Sequence, residues 1–407
     1  MPAVELTGFC ILDRNSQKAK FSFTIHDFSG IVHQKSSKLF HFAGHFWKLQ
    51  VTKKDDHFGM FLRWYGTKTG YDGPLQFDCK ASMLFAVLNV IEPLESVSEG
   101  CKKDKDLFQV VGGGIGYGKI LSLSDLNNTP GYIINNALNV QVALKVLSTT
   151  YYDKIPSTRQ ADKDFIQGMK FPFFGTTWYI ILFPEGENPD DIVKNKESKA
   201  SIYLMRDSIE DNFLRHNVSF KISVDGGGDV AVDQHFYNCD SNVYGTASFM
   251  PVTQLKRIGA KGYLRVAVTF HKLVPYFYLA YEVSSSPIKL GDGFHFRDHY
   301  KFPWFFKLSV NEDTDNVQGT IVLDPNGEDR TVKKLIEKNR GLQVSWLVEF
   351  ISPADIEKNL ISKRRGRRPL QEKTLYYSGE SDSIDFPISL EKVRRYNRNK
   401  NSRVCSR

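Results

Sequence analysis

Three times along the chain a Trp stands in a run of alternating apolar residues: Trp47 in HFWKLQV, Trp178 in TTWYIILF and Trp304 in FPWFFKLSV. The intervals are 131 and 126 residues. A second marker keeps step at Phe85 (ASMLFAVLNV), Phe220 (NVSFKISVDG) and Trp346 (QVSWLVEFIS), and a third at Leu126, Leu255 and Leu390. Three markers in one order at one period describe a whole domain copied, not a short solenoid unit. Each copy is long enough to close its own core.

The copies read as strands. KFSFTIHDF (20–28), HFWKLQV (45–51), HFGMFLRWY (57–65) and ASMLFAVLNV (81–90) alternate with period two, and GYIINNALNVQVALKVL (131–147) follows. TWYIILF, KASIYLMR, VSFKISVD, YGTASFM and GYLRVAVTF come in matching order in the second copy, though nothing there matches the opening strand. With 30 Phe and 18 Tyr in 407 residues, the chain favours sheet over helix. Short strands between Gly, Asn, Asp and Pro turns indicate antiparallel β-sandwiches. The third copy is degenerate. It lacks a closing strand, and the apolar segment Val4–Leu12 is a candidate to cover its edge.

The ordered set resembles the MATH (TRAF-like) domain family. The first copy carries Phe21–Ile25, Asp27–Ser29, Ser36-Ser37, Gly44–Leu49, a Gly-aromatic-Gly turn at Gly116–Gly118, Ser122–Leu126 and Gly131-Tyr132. The second keeps Trp178-Tyr179-Ile180, Ser201–Leu204, Phe220, Tyr244-Gly245 and Gly262-Tyr263. The resulting expectation is an all-β protein of tandem antiparallel MATH/TRAF-like β-sandwiches, with the third repeat degenerate and carrying a basic insertion. The domain map is an extension at 1–17, domains at 18–148 and 168–282, linkers at 149–167 and 283–296, a third domain at 297–396 with the insertion at 363–369, and a tail at 397–407.

The resemblance implies a non-enzymatic adaptor or scaffold that binds extended peptide segments of partner proteins, by backbone pairing plus pockets for alternate side chains. The family's groove aromatics fall on Tyr203, Phe220, Phe236 and Tyr244 in the second copy, and on Phe61, Phe85 and Tyr117 in the first, with Leu107 and Ile115 beside them. Core burial competes with this reading at every one of them. Tyr203 shares a face with Ser201 and Met205, which favours exposure; Phe220 shares one with Val218 and Ile222, which favours burial. No partner module accompanies the repeats, so any ubiquitin-pathway role would need a separate chain.

Charge is uneven. Of 54 Lys and Arg, 13 lie between Lys363 and Arg407, with 5 of the 46 Asp and Glu, so the preceding 362 residues balance at 41 each. Lys363, Arg364, Arg365, Arg367 and Arg368, with Arg394 and Arg395 further on, read as a nuclear import signal, as a nucleic-acid contact, or as a solvated tail. The alternative function is therefore a nuclear nucleic-acid-associated factor using 363–407, with the sandwiches as support. VVGGGIGYGKI (110–120) has Ile120 where a phosphate-binding P-loop needs Ser or Thr, and reads as a loop with positive φ. His41/His45 and His295/His299 come without a carboxylate pattern, so neither metal nor cofactor is expected. No catalytic constellation is recognisable. Five scattered cysteines suit a reducing compartment. No stretch approaches the ~18 apolar residues of a membrane helix, and the N-terminus is unlike a secretory signal. The expected location is intracellular, cytoplasmic or nuclear.

Overall fold

The computed structural model describes residues 5–6, 17–67, 76–100, 106–158, 164–174, 176–186, 198–207, 214–238, 241–277, 294–297, 303–311, 316–323, 342–346, 371–375 and 381–389. The chain divides into two compact units, Met1–Tyr278 and Leu279–Arg407.

The first unit begins with β1 (Glu5–Leu6), β2 (Lys18–Ile25), β3 (Gln34–Ser36), β4 (Phe40–Phe42), β5 (His45–Lys54), β6 (His57–Trp64), β7 (Gln76–Val87), β8 (Val97–Gly100), β9 (Asp106–Phe108) and β10 (Gly114–Ser122). Helix α1 (Leu123–Asn128) follows, capped by the Ser122 hydroxyl, which accepts from the Asp125 amide and so satisfies a donor the helix leaves open. Then come β11 (Ile133–Ile134) and β12 (Ala137–Pro156). Asn135 and Asn136, at φ 51 and 59, make the tight turn between them. The unit continues with β13 (Ile166–Gln167), β14 (Phe171–Phe173), β15 (Thr176–Phe183), β16 (Lys199–Arg206), β17 (Leu214–Val224), β18 (Asp229–Tyr237), β19 (Val243–Pro251), α2 (Val252–Ile258) and β20 (Tyr263–Phe277).

All pairings are antiparallel. One sheet runs β10–β6–β5–β3, with β4 also on β5; a second runs β13–β15–β16–β19, with β14 on β15. Both pack against a ten-stranded sheet in which β12 is the hub. In the first sandwich Trp47 reaches Phe108 across the core at 5.2 Å, and in the second Trp178 reaches Tyr237 at 5.0 Å, both edge-on. Each of these buried Trp residues donates its indole N–H to a carbonyl five residues back, Phe42 at 3.1 Å and Phe173 at 3.0 Å. A buried indole N–H needs such a partner.

Strand β12 corrects the expected linker at 149–167. Its first part pairs with β2, from Leu138↔Ile25 to Lys145↔Lys18; its last part pairs with β20, from Thr149↔Phe270 to Pro156↔Tyr263. Strand β7 lines its other edge from Val140 to Tyr152. The second sandwich's missing opening strand is thus Thr149–Pro156: Ile155↔Leu264 and Tyr151↔Val268 stand as Ile25↔Leu138 and Phe21↔Val142 do in the first. A bulge at Leu147 shifts the register, and burial moves from even to odd positions across it, which keeps both cores on one side of the sheet. Tyr151 stacks on Phe171 at 3.8 Å, and Phe77 of β7 contacts both Phe171 and Phe173, so the two cores are continuous.

Three further expectations need adjustment. Glu5 and Leu6 pair with Thr24 and Phe23 of β2, so these two residues edge the first sandwich, and the rest of Val4–Leu12 lies outside the described residues. Gly114, Gly116 and Gly118 lie in strand β10, not in a turn; of that glycine run only Gly112 has positive φ, at 81. Gly116 is there because an added Cβ would stand 2.0 Å from the Met60 carbonyl oxygen of the neighbouring strand, too close for any side chain.

The second unit, described by itself, holds β21 (Phe294–Arg297), β22 (Pro303–Asn311), β23 (Asn316–Leu323), β24 (Leu342–Trp346), β25 (Gln371–Leu375) and β26 (Ser381–Ser389). They form a sheet β21–β22–β23–β26 and a separate pair β24–β25. The expected linker at 283–296 therefore ends in strand from Phe294. The insertion at 363–369 lies outside the described residues.

His45 gives the first unit an acid sensitivity. It is fully buried, accepts at Nδ1 from the Trp64 indole at 3.1 Å, and so donates from Nε2 to the Thr149 hydroxyl at 2.7 Å. Burial, then nearby His41, lowers its pKa to about 3; burial lowers that of His41 to about 4. Both folded values lie below the unfolded value of about 6.5. Their contribution is therefore complete above about pH 6.5 and is lost as pH falls from there towards 4 and 3, because the unfolded chain takes up protons first. His45→Gln can keep both hydrogen bonds without titrating. We expect denaturant unfolding at pH 7 and 4.5 to show a smaller acid loss in His45→Gln than in wild type, by about 2 kcal/mol.

Candidate functional site

Strands β10 and β19 are each the last strand of their sheet, with β6 and β16 as the only neighbour in the sheet order. They are built alike. Gly116 stands opposite Phe61, and Gly245 opposite Tyr203. An added Cβ at Gly245 would lie 2.1 Å from the Ile202 carbonyl oxygen, matching the clash at Gly116. Each edge strand thus lies close to its neighbour and leaves an aromatic half-buried on the outer face of the sheet.

The sequence-derived groove residues do not form one wall. Phe85 and Phe220 are 1% exposed and belong to the cores, so neither can meet a ligand directly. Tyr203 lies on the outer face of its sheet, between Ile181 and Gly245, with Phe183 edge-on at 6.1 Å. Phe236, opposite Asn217, lies on the outer face of the other sheet, on the far side of the sandwich. Tyr244, opposite inward-facing Leu204, is 41% exposed at the rim. Its ring stacks on His235 at 3.9 Å, and burial lowers the His235 pKa to about 4. Behind them, buried Tyr237 donates to the Leu204 carbonyl at 3.1 Å, and buried Arg206 donates to His216 Nδ1 at 3.1 Å.

In the first sandwich, Phe61 is on the outer face, whereas Ile115 and Tyr117 stand opposite Leu62 and Met60 on the inward side. The Tyr117 hydroxyl donates to the Gly100 carbonyl of β8, bridging the edges of the two sheets, and its ring meets Phe85 edge-on at 6.1 Å. Val110 and Val111, which lead into β10, are 69% and 65% exposed, whereas Leu107, 40% exposed, lies in β9 opposite Lys80 of the other sheet. Val110, Val111 and His235 were not among the sequence candidates. An exposed apolar pair inside a Gly-rich run carries no periodic signal, and His235 is distinguished only by its contact with Tyr244.

The family model of the MATH domain matches residues 20–144. Residues 20–144 are a MATH domain. The match takes in β2 to most of the first half of β12. MATH domains are protein-interaction modules. Among solved structures, TRAF5 of Notothenia coriiceps aligns at 16% identity over 31% of this chain and 72% of that chain, with a TM-score of 0.25. No curated protein matches the chain. Among the described residues no helix is long and apolar enough to cross a membrane, and no group of three or more His, Cys, Asp or Glu is placed to hold a metal ion. The basic candidates Lys363, Arg364, Arg365, Arg367, Arg368, Arg394 and Arg395 lie outside the described residues.

Proposed function

We propose that the chain is a non-enzymatic adaptor that holds extended segments of partner proteins by strand addition at β10 of its MATH domain. The observation that carries this reading is the end position of β10 in its sheet among the described residues, with Val110 and Val111 exposed where the chain enters it. An added strand takes its affinity from main-chain pairing and its specificity from alternate side chains. Its residues would meet the Phe61 face and the Ile115–Tyr117 face in turn, since these lie on opposite sides of the sheet. Strand β19, with Tyr244 and Tyr203 on its two sides, is a second edge of the same kind.

The test is selection of peptides from a random library on the full chain, followed by calorimetric titration. We expect Val110→Asp/Val111→Asp to weaken the selected peptides at least tenfold, and Tyr203→Ala/Tyr244→Ala to leave them unchanged. Peptides that bind the Asp variant as tightly as wild type would remove β10 as the site.

A further inference from the structure

The folded chain segregates charge that balances in the sequence. Carboxylates sit at turns and sandwich ends, as at Asp27, Asp55, Asp56, Glu92, Glu95 and Asp125, while the solvent face of the ten-stranded sheet collects cations. Lys145 stands directly opposite Lys18 in the β12–β2 ladder, and Lys154 directly opposite Arg265 in the β12–β20 ladder. Like charges facing each other across an antiparallel pair are destabilising. Between these pairs, where the sandwiches join, His271 of β20 lies near both Lys221 and Lys80; burial, and after it these two cations, lower its pKa. Of these cations Lys221 has a carboxylate partner, Asp229 at 3.1 Å. Among the described residues the others have no ion pair. Among the described residues, acids without an ion pair on this sheet include Asp78 of β7 and, away on the β18 edge, Asp233, with Glu5 at the register position beside Thr24.

From Lys145 to Lys154 along β12 is roughly 25–30 Å at ~3.3 Å per residue. Near the Lys154 end of this strip Tyr152 is 41% exposed. Its hydroxyl donates to Asp78 at 2.9 Å, and Gln109 donates to the same carboxylate, so the ring is held in place and the acid is engaged. A flat row of lysines with a fixed, exposed aromatic ring among them suits a chain of phosphates that also carries planar bases, since stacking and backbone neutralisation are the two sources of sequence-tolerant affinity. An acidic peptide has no base to stack on the tyrosine. A bilayer would be met by a patch of protruding apolar side chains, and here Leu84 of β7 and Leu107 of β9, opposite Lys80, are exposed singly among the lysines. We propose that the outer face of the shared sheet binds single-stranded nucleic acid, with backbone phosphates on Lys18, Lys80, Lys145 and Lys154 and one base on Tyr152. Leu107 of β9 stands opposite Lys80 on this face, and the residues of the face are other than the basic ones of 363–407.

The experiment is fluorescence anisotropy of the full chain with a labelled 15-nucleotide single strand, DNA and RNA, at 50 and 200 mM salt. Three variants are compared: Lys18→Gln/Lys80→Gln/Lys145→Gln, Tyr152→Ala, and Gln at the five basic positions of 363–368. We expect the triple variant to raise Kd at least tenfold and to flatten the log–log salt slope by about 0.7 per lost phosphate contact. Tyr152→Ala should weaken binding about tenfold. The triple variant should melt at or above the wild-type temperature, because it removes a facing pair of like charges. Wild-type affinity in the triple variant, or loss only on changing 363–368, would overturn the proposal. So would a triple variant that melts below wild type, or competition by poly-glutamate or phosphatidylserine vesicles equal to that of unlabelled oligonucleotide.

Discussion

Thr150→Pro is expected to unfold both sandwiches of the first unit together. Thr150 pairs with Asp78 of β7 on one edge and Thr269 of β20 on the other, and its hydroxyl lies 3.1 Å from that of Thr269. Proline removes one ladder donor, leaves a carbonyl without its partner, and puts a ring where a neighbouring strand lies. The lost bond and the orphaned acceptor together cost about 1–3 kcal/mol, with the steric conflict added. A total above about 3 kcal/mol belongs to the severe tail of point-mutant effects. Because β12 serves two cores, hydrogen exchange should show amides of β5 and β15 losing protection together. Thr150→Val keeps the shape and strand preference and should cost less than about 1.5 kcal/mol. Protection retained in β15 while β5 exchanges would mean that the second sandwich does not depend on β12.

Phe85→Ala and Phe220→Ala should each destabilise the fold by about 3–5 kcal/mol, the range for deleting a buried aromatic side chain. Both are 1% exposed; Phe220 lies opposite buried Phe270, and Phe85 opposite buried Val142. Tyr203→Ala, on an outer face, should cost far less. Chemical denaturation of the three variants checks this ordering. If Phe220→Ala left stability within about 0.5 kcal/mol of wild type, as surface changes do, its placement in the core would be wrong.

Much of this architecture is readable in the residues because one face of each strand is buried. Trp47, Leu49 and Val51, or Trp178, Ile180 and Leu182, occupy every second position of a short run and announce strands. The burial of Phe220 is readable in the same way, from Val218 and Ile222 on its face. The opening strand of the second sandwich is hidden by Asp153, which occupies an inward position between Tyr151 and Ile155. A carboxylate there breaks the apolar pattern, and only the fold supplies its partners, the Met169 amide at 2.8 Å and the Lys154 amide at 2.7 Å. The facing of Phe236 is hidden for a different reason. The β17–β18 ladder shifts register between Val218 and Phe220, so parity counted along β18 does not say which face a residue takes. The basic sheet face escapes a reading by composition, since its lysines come from β2, β7 and β12 and meet only when the strands pair.

The continuity of β12 also bears on valency. Two recognition modules joined by a flexible tether search for a bivalent partner at an effective concentration set by the tether's length, and they accept many spacings. Here the edges β10 and β19 belong to sandwiches that share a strand and a core, so no tether intervenes. A pair of edges fixed in this way works as a ruler. A partner presenting two segments at the matching separation gains avidity without any ordering of a linker, and one presenting them at another separation engages a single edge.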